Sequence, residues 1–104
     1  MKLSQDQKKH FRAIGHQLNP VVTIADKGLS DTVLAEIDRA LNDHELIKVK
    51  VVCEDREDKK AIIAEIITLT TATLVQSIGH VALILRKVEK PNPKLSNLKR
   101  FSQL

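Results

Sequence analysis

Four short runs rich in β-branched and apolar residues are the feature that most limits what this chain can become. They are Val21–Ala25, Leu46–Cys53, Thr73–Ile78 and Val81–Arg86, each of strand length and bounded by turn or polar residues. Between the first three lie stretches long enough for a helix, whereas only Gly79-His80 separates the last two. Helices between strands imply right-handed crossovers and parallel pairing, and the two-residue link implies an antiparallel hairpin. A further helix pattern precedes the first run, so the order reads α-β-α-β-α-β-β. The predicted fold is one compact α/β domain with a four-stranded mixed sheet.

Local signals place the helices. Ser4 with Gln7 three residues later is a capping-box pattern, and predicts a first helix to about His16 with Leu3, Phe11 and Ile14 facing inward. Gly15 and Asn19-Pro20 end it. The run from Val21 reads as a buried strand. Ser30 caps a second helix, on which Val33, Leu34, Ile37, Ala40 and Leu41 share a face. In the second strand Ile47, Val49 and Val51 point one way, Lys48 and Lys50 the other. Glu54-Asp55 opens a third helix, expected to bury Ala61, Ile62, Ile66, Ile67 and Leu69 and to end near Thr70. Beyond Lys87 the chain is polar and basic, and Pro91 and Pro93 oppose regular structure. The expected division is a domain over residues 1–88 and a basic tail over 89–104.

Composition narrows the function. Two Phe and no Tyr or Trp leave 2% aromatic residues, which argues against modules that bind RNA by stacking bases on aromatic platforms, such as the RRM or an OB-fold. A single cysteine excludes an internal disulfide framework and a Cys-rich zinc site. No apolar run reaches the roughly 18 residues of a membrane span, and the first residues lead into no signal-peptide core, so the expected location is cytoplasmic without membrane contact. The net charge is +4, but its placement says more. Residues 1–28 carry five Lys and Arg against two acids, residues 29–83 six against ten, and residues 84–104 six against one. Two readings fit: a solvated surface with a basic tail, or two basic ends brought together to follow a phosphate backbone.

Catalytic readings fail on spacing. His10 and His16 lie six apart on one helix, about 240° out of phase, and His44 and His80 have no partner at a ligand spacing. Cys53 precedes Glu54 and Asp55, whose charges oppose thiolate formation. The acidic run 54–58 lacks the alternating ligands and Gly of a calcium loop. Neither a GxSxG elbow nor a P-loop is present. The expectation is a non-enzymatic protein with no cofactor and no metal.

The loop Ala25-Asp26-Lys27-Gly28 joins the first strand to the second helix. Unpaired N–H groups at a helix start, a Gly allowing close backbone approach and a mobile ammonium suit a phosphate. A strand-to-helix turn also needs a Gly for ordinary reasons. The KH domain clamps single-stranded nucleotides with a comparable GxxG loop.

The segment Leu18-Asn19-Pro20-Val21-Val22-Thr23-Ile24-Ala25-Asp26-Lys27-Gly28-Leu29-Ser30, followed by Val33-Leu34-Ala35-Glu36-Ile37, resembles the start of a CRM domain. His44-Glu45-Leu46-Ile47-Lys48-Val49-Lys50-Val51 and Gln76-Ser77-Ile78-Gly79-His80-Val81-Ala82-Leu83-Ile84-Leu85-Arg86 resemble its later signatures. The match spans roughly residues 3–88 and is closest to the stand-alone bacterial YhbY family. The resemblance implies an RNA-binding protein associated with precursors of the large ribosomal subunit, related to plant factors for organellar intron splicing. It also implies a fold similar to the C-terminal domain of bacterial translation initiation factor three, with an added N-terminal helix. The family's GxxG loop falls on Ala25, Asp26, Lys27 and Gly28, so Ala replaces its first Gly and Asp26 brings a negative charge.

On this reading Lys27 and Gly28 contact phosphate, Lys48 and Lys50 extend the track, and Lys8, Lys9, Arg12 and Lys87 contribute. Arg86 is the expected second anchor, because its planar fork suits bidentate phosphate contact. Structured ribosomal RNA is the expected target, with ribosomal protein contacts on the same particle. The rival is a small α/β adaptor whose basic tail docks on an acidic protein. A small-molecule-binding domain is disfavoured because no dinucleotide fingerprint follows any strand.

Overall fold

A computed structural model describes residues 2–25 and 28–101. The Ser4 capping box forms both of its bonds: Gln7 N–H donates to Ser4 Oγ at 3.1 Å, and Ser4 N–H to Gln7 Oε1 at 2.9 Å. They start α1 (Gln5–Gly15), which is followed by β1 (Pro20–Ile24), α2 (Asp31–His44), β2 (Leu46–Val51), α3 (Arg56–Thr70), β3 (Thr73–Ile78) and β4 (Val81–Leu85). Ser30 caps α2 through a bond from Val33 N–H, and Asp55 caps α3 through one from Glu57 N–H. The four strands form one mixed sheet in the order β1-β2-β4-β3, with β1 and β2 parallel and the other pairs antiparallel.

The sheet separates two cores. On one face Val22, Ile24, Ile47, Val49, Val51, Ala82 and Ile84 pack against Ile37 and Leu41 of α2 and Ile63 and Ile66 of α3. On the other, Leu46, Val75, Leu83 and Leu85 pack against Leu3, Phe11 and Ile14. The alternation of β2 accounts for both, since successive side chains leave a strand on opposite sides.

Three expectations are corrected. β1 is an edge strand rather than a buried one; Val21 is 49% exposed, and Pro20, which has no N–H to donate, sits at its start. In α3 the buried stripe is Ile63, Ile66 and Thr70, while Ala61 and Leu69 face solvent. That helix is apolar on several sides, so spacing alone left its inward face ambiguous, and Ile62 and Ile67 only flank the core.

The third correction concerns the C-terminal segment, which folds back instead of trailing as a tail. Asn92 seeds a turn by accepting Lys94 N–H at its side chain and Leu95 and Ser96 N–H at its carbonyl. Ser96 Oγ then donates to Glu45 Oε1 at 2.7 Å, and Asn97 Nδ2 to the Leu46 carbonyl at 2.6 Å. A single turn, α4 (Asn97–Arg100), follows, and Leu98 and Phe101 join the second core. The packed unit therefore reaches Phe101, and both basic ends of the chain lie on the same side of the sheet. Pro91 and Pro93 do exclude regular structure locally, but the polar contacts of Ser96 and Asn97 leave no periodic signature.

Candidate nucleic-acid interface

The face of the sheet that carries α1 is only partly covered. The registers set out its open half as two rows running across the strands. One row is Thr23, Lys50, Val81 and Ile78; the next is Pro20, Lys48, Leu83 and Gln76. The helix can lie close to the second row because Gly15 faces Leu83. A Cβ at Gly15 would stand 2.7 Å from Leu83 Cδ2, inside contact distance, so a side chain there would displace one of the two.

Between the C-terminal half of α1 and these rows runs a cleft of about 230 Å³, walled by Arg12 and His16 on one side and by Lys48, Gln76, Ile78 and Val81 on the other. A shallower groove continues it along α1 past Lys9. Lys9, Arg12 and His16 share this flank because three- and four-residue steps return to the same side of a helix. Lys48 Nζ donates to the Leu18 carbonyl at 3.1 Å, which holds the ammonium over the sheet and leaves two of its donors without a partner among the described residues. Arg12, His16, Lys50 and Gln76 make no side-chain hydrogen bond among the described residues.

The loop lies at the end of the sheet nearest Lys50. Ile24 pairs with Val51, and Gly28 N–H donates to the Ala25 carbonyl at 2.9 Å, closing a turn in which Gly28 has φ +72°. Gly28 therefore occupies the position that requires glycine, and Ala25 is outside the left-handed region, so its methyl does not strain the turn. Asp26 and Lys27 lie outside the described residues. The surroundings of this turn are unequal in charge. On the α3 side Glu54, Asp55 and Asp58 line a groove with Ala25, and Asp31 occupies the first turn of α2. The opposite side carries Lys50. A polyanion meets repulsion from the first direction and attraction from the second.

Other expected residues are placed elsewhere. Arg86 is the main correction. Its guanidinium donates to Asp38 Oδ1 at 2.6 Å, the Thr70 carbonyl at 2.8 Å, the Asp38 carbonyl at 3.0 Å and Asn42 Oδ1 at 2.9 Å. With 17% of its side chain exposed, it ties β4 to α2 and the end of α3, and its fork is occupied. Arg86 and Lys87 follow the end of β4 that pairs with Leu46, far along the sheet from the turn at Ala25 and Gly28. Lys8 lies outside the lining of the cleft.

The cleft also contains residues that sequence reasoning missed. His16 is one of them, and its four-residue step from Arg12 is the signal that places the two side by side. Gln76 and Ile78 were hidden by a bulge between Leu74 and Gln76, which shifts the alternation of β3 and turns them toward α1. Among the described residues no three of His, Cys, Asp and Glu gather as a metal site, and no helix is long and apolar enough to cross a membrane.

The fold and this surface define a class: a small α/β module with a cationic cleft on one half of its sheet and a glycine turn at the sheet's end. Residues 3–86 match the family model of the CRS1/YhbY (CRM) domain. A Pseudomonas aeruginosa protein named as a probable RNA-binding protein is 53% identical over 102 residues, covering 98% of both chains. A Haemophilus influenzae protein named RNA-binding protein is 48% identical over 93 residues, 89% of this chain and 94% of that one. The solution structure of a Staphylococcus aureus protein, described as a candidate RNA binder, is similar with a TM-score of 0.75 at 30% identity, over 91% of this chain and 98% of that one. The chain belongs to the CRS1/YhbY (CRM) domain family.

Proposed function

We propose that this chain is a non-catalytic, cytoplasmic RNA-binding protein that engages ribosomal RNA in precursors of the large ribosomal subunit. The observation that carries the reading is the placement of four cations from α1 and β2 along one side of the sheet: Arg12 and Lys48 line the cleft, Lys9 lines the groove that continues it, and Lys50 pairs with Val81 of its wall. Lys27 and Gly28 supply a phosphate contact at the adjoining turn. The relatives named as RNA-binding proteins support the partner, and the ribosomal target rests on the family resemblance. Contacts to ribosomal proteins on the same particle belong to the same proposal.

A salt titration against single-stranded RNA tests the binding mode. If Lys9, Arg12, Lys48 and Lys50 each meet one phosphate, they contribute about −2.8 to the slope of log affinity against log salt, at about −0.7 per contact. Replacing all four with Ala removes that contribution. Affinity indifferent to salt, or unchanged in the fourfold variant, rejects this surface. For the target, the full chain should co-sediment with large-subunit precursors and lose them after RNase treatment. A complex that survives RNase points instead to an adaptor held by protein.

A further inference from the structure

The cleft is not built like a track for phosphate alone. A phosphate only accepts hydrogen bonds, and cations on an open surface are enough to hold it. Here one wall is apolar: Ile78 is 63% exposed, Val81 stands beside it in the same row, and Leu83 forms the floor. Between that wall and α1 stands Gln76, whose amide carries two donors and an acceptor with no partner among the described residues. An unused donor–acceptor pair complements the edge of a nucleobase, which presents both kinds of group, better than it complements a phosphate. Across the cleft are Arg12 and His16, whose planar groups lie flat on a base where a chain offers no exposed aromatic platform. Phe11 is buried and Phe101 packs against the second core. The volume of about 230 Å³ leaves room for a group the size of a single heterocycle.

We infer that this cleft receives one unpaired nucleobase of a single-stranded RNA segment, with Gln76 hydrogen-bonding its edge, Ile78 and Val81 covering one side and Arg12 the other. Lys48, Lys50 and the edge of the Arg12 guanidinium then meet the phosphates next to it. The inference rests on the proposed RNA-binding function and adds that the chain selects unpaired RNA by a base contact. A base paired within a duplex keeps its edge turned to its partner and its faces stacked, so it leaves this site empty.

The test compares two probes of equal length and charge, a short oligoadenylate and the corresponding abasic ribose-phosphate chain, binding to the full chain at one salt concentration. The oligoadenylate should bind roughly tenfold more tightly, within the range that one sequestered base contributes. Gln76→Ala and Ile78→Ser should each shrink this preference to about threefold or less and leave abasic affinity unchanged. Both positions lie outside the two cores, and circular dichroism checks that each variant is folded. Equal affinity of the wild type for the two probes overturns the base site while leaving the electrostatic surface in place. So does a Gln76→Ala variant that weakens both probes equally or neither. If the wild type binds neither probe, the proposed RNA-binding function itself fails and the base site with it.

Discussion

The two faces of the sheet are made from alternate residues of the same strands, yet they do different work. Toward α2 and α3, β2 contributes Ile47, Val49 and Val51, all fully buried. Toward α1 it contributes Leu46, buried, then Lys48, half-buried, then Lys50, exposed. Along β2 the first face is sealed from end to end. The second changes along the strand from core to cationic surface, and the change occurs where α1 and the C-terminal segment stop covering it. A strand can serve stability and recognition together when its two faces are separated by its own pleat. The sealed face then carries most of the stability, which leaves Lys48 and Lys50 free to answer to a ligand.

The sharpest way to break this comparison is to cut both sides of β2. Ile47→Ala removes a fully buried side chain and leaves a cavity between sheet and helices, at about 4 kcal/mol. Lys50→Ala, on the open face, should change stability by less than about 0.5 kcal/mol and weaken RNA binding. Urea denaturation gives both values. A large loss from Lys50→Ala places structural weight on the open face and ends the division of labour.

The two arginines of opposite fate provide a second test. Arg86→Ala removes four hydrogen bonds, the ion pair to Asp38 among them, and leaves the Thr70 carbonyl with the Thr71 hydroxyl alone, so it should cost about 3 kcal/mol. The partly exposed Asp38 keeps the loss below that of a fully buried pair. Affinity for RNA, measured where the variant is folded, should be unchanged. Arg12→Ala should do the reverse, lowering affinity severalfold and reducing the salt slope by about 0.7. Reduced affinity in folded Arg86→Ala restores it as an anchor.

The covered end of the open face depends on the C-terminal segment. Ser96 is fully buried and donates to the buried Glu45, whose other carboxylate oxygen accepts Val88 N–H. Glu45 holds a φ of 61° that few residues other than glycine adopt, and these bonds keep it there. Ser96→Ala should therefore cost about 2 kcal/mol and speed amide exchange in residues 95–101, read by hydrogen exchange. Unchanged exchange with unchanged stability means the segment adheres through Leu98 and Phe101 alone.

What the sequence made legible follows the same boundary. Element order, the helix caps and the Lys48/Lys50 side of β2 come from periodicity and local chemistry, which act over a few residues. The inward side of α3 did not, because Ala61, Ile62, Ile63, Ile66, Ile67 and Leu69 nearly encircle it and only contact with the sheet selects Ile63 and Ile66. Arg86 looked like a surface cation because its partners Asp38, Asn42 and Thr70 are distant in sequence. The docking of Ser96 and Asn97 on Glu45 and Leu46 spans about fifty residues and carries no pattern. Of the cleft, Arg12 and Lys48 were readable singly; that they face each other across Gly15 and Leu83 was not.

The turn between β1 and α2 gives the smallest effects and the finest comparison. Its two outer positions, Ala25 and Gly28, are both glycine in the resembled GxxG loop, yet they stand under different constraints here. Gly28 has φ +72° and no atom of the described residues within 4 Å of where a Cβ would go, so Gly28→Ala should incur the backbone penalty, about 1 kcal/mol. Ala25 has no such φ, and Ala25→Gly relaxes nothing in the folded chain. It adds freedom to the unfolded one, for a loss of about 0.5 kcal/mol. RNA affinity should change by less than about twofold, or roughly 0.4 kcal/mol, because the N–H groups of the turn stay where they are. A large gain in affinity on Ala25→Gly shows instead that the methyl stands in the path of the phosphate. The turn would then rank with the cleft as a determinant of binding.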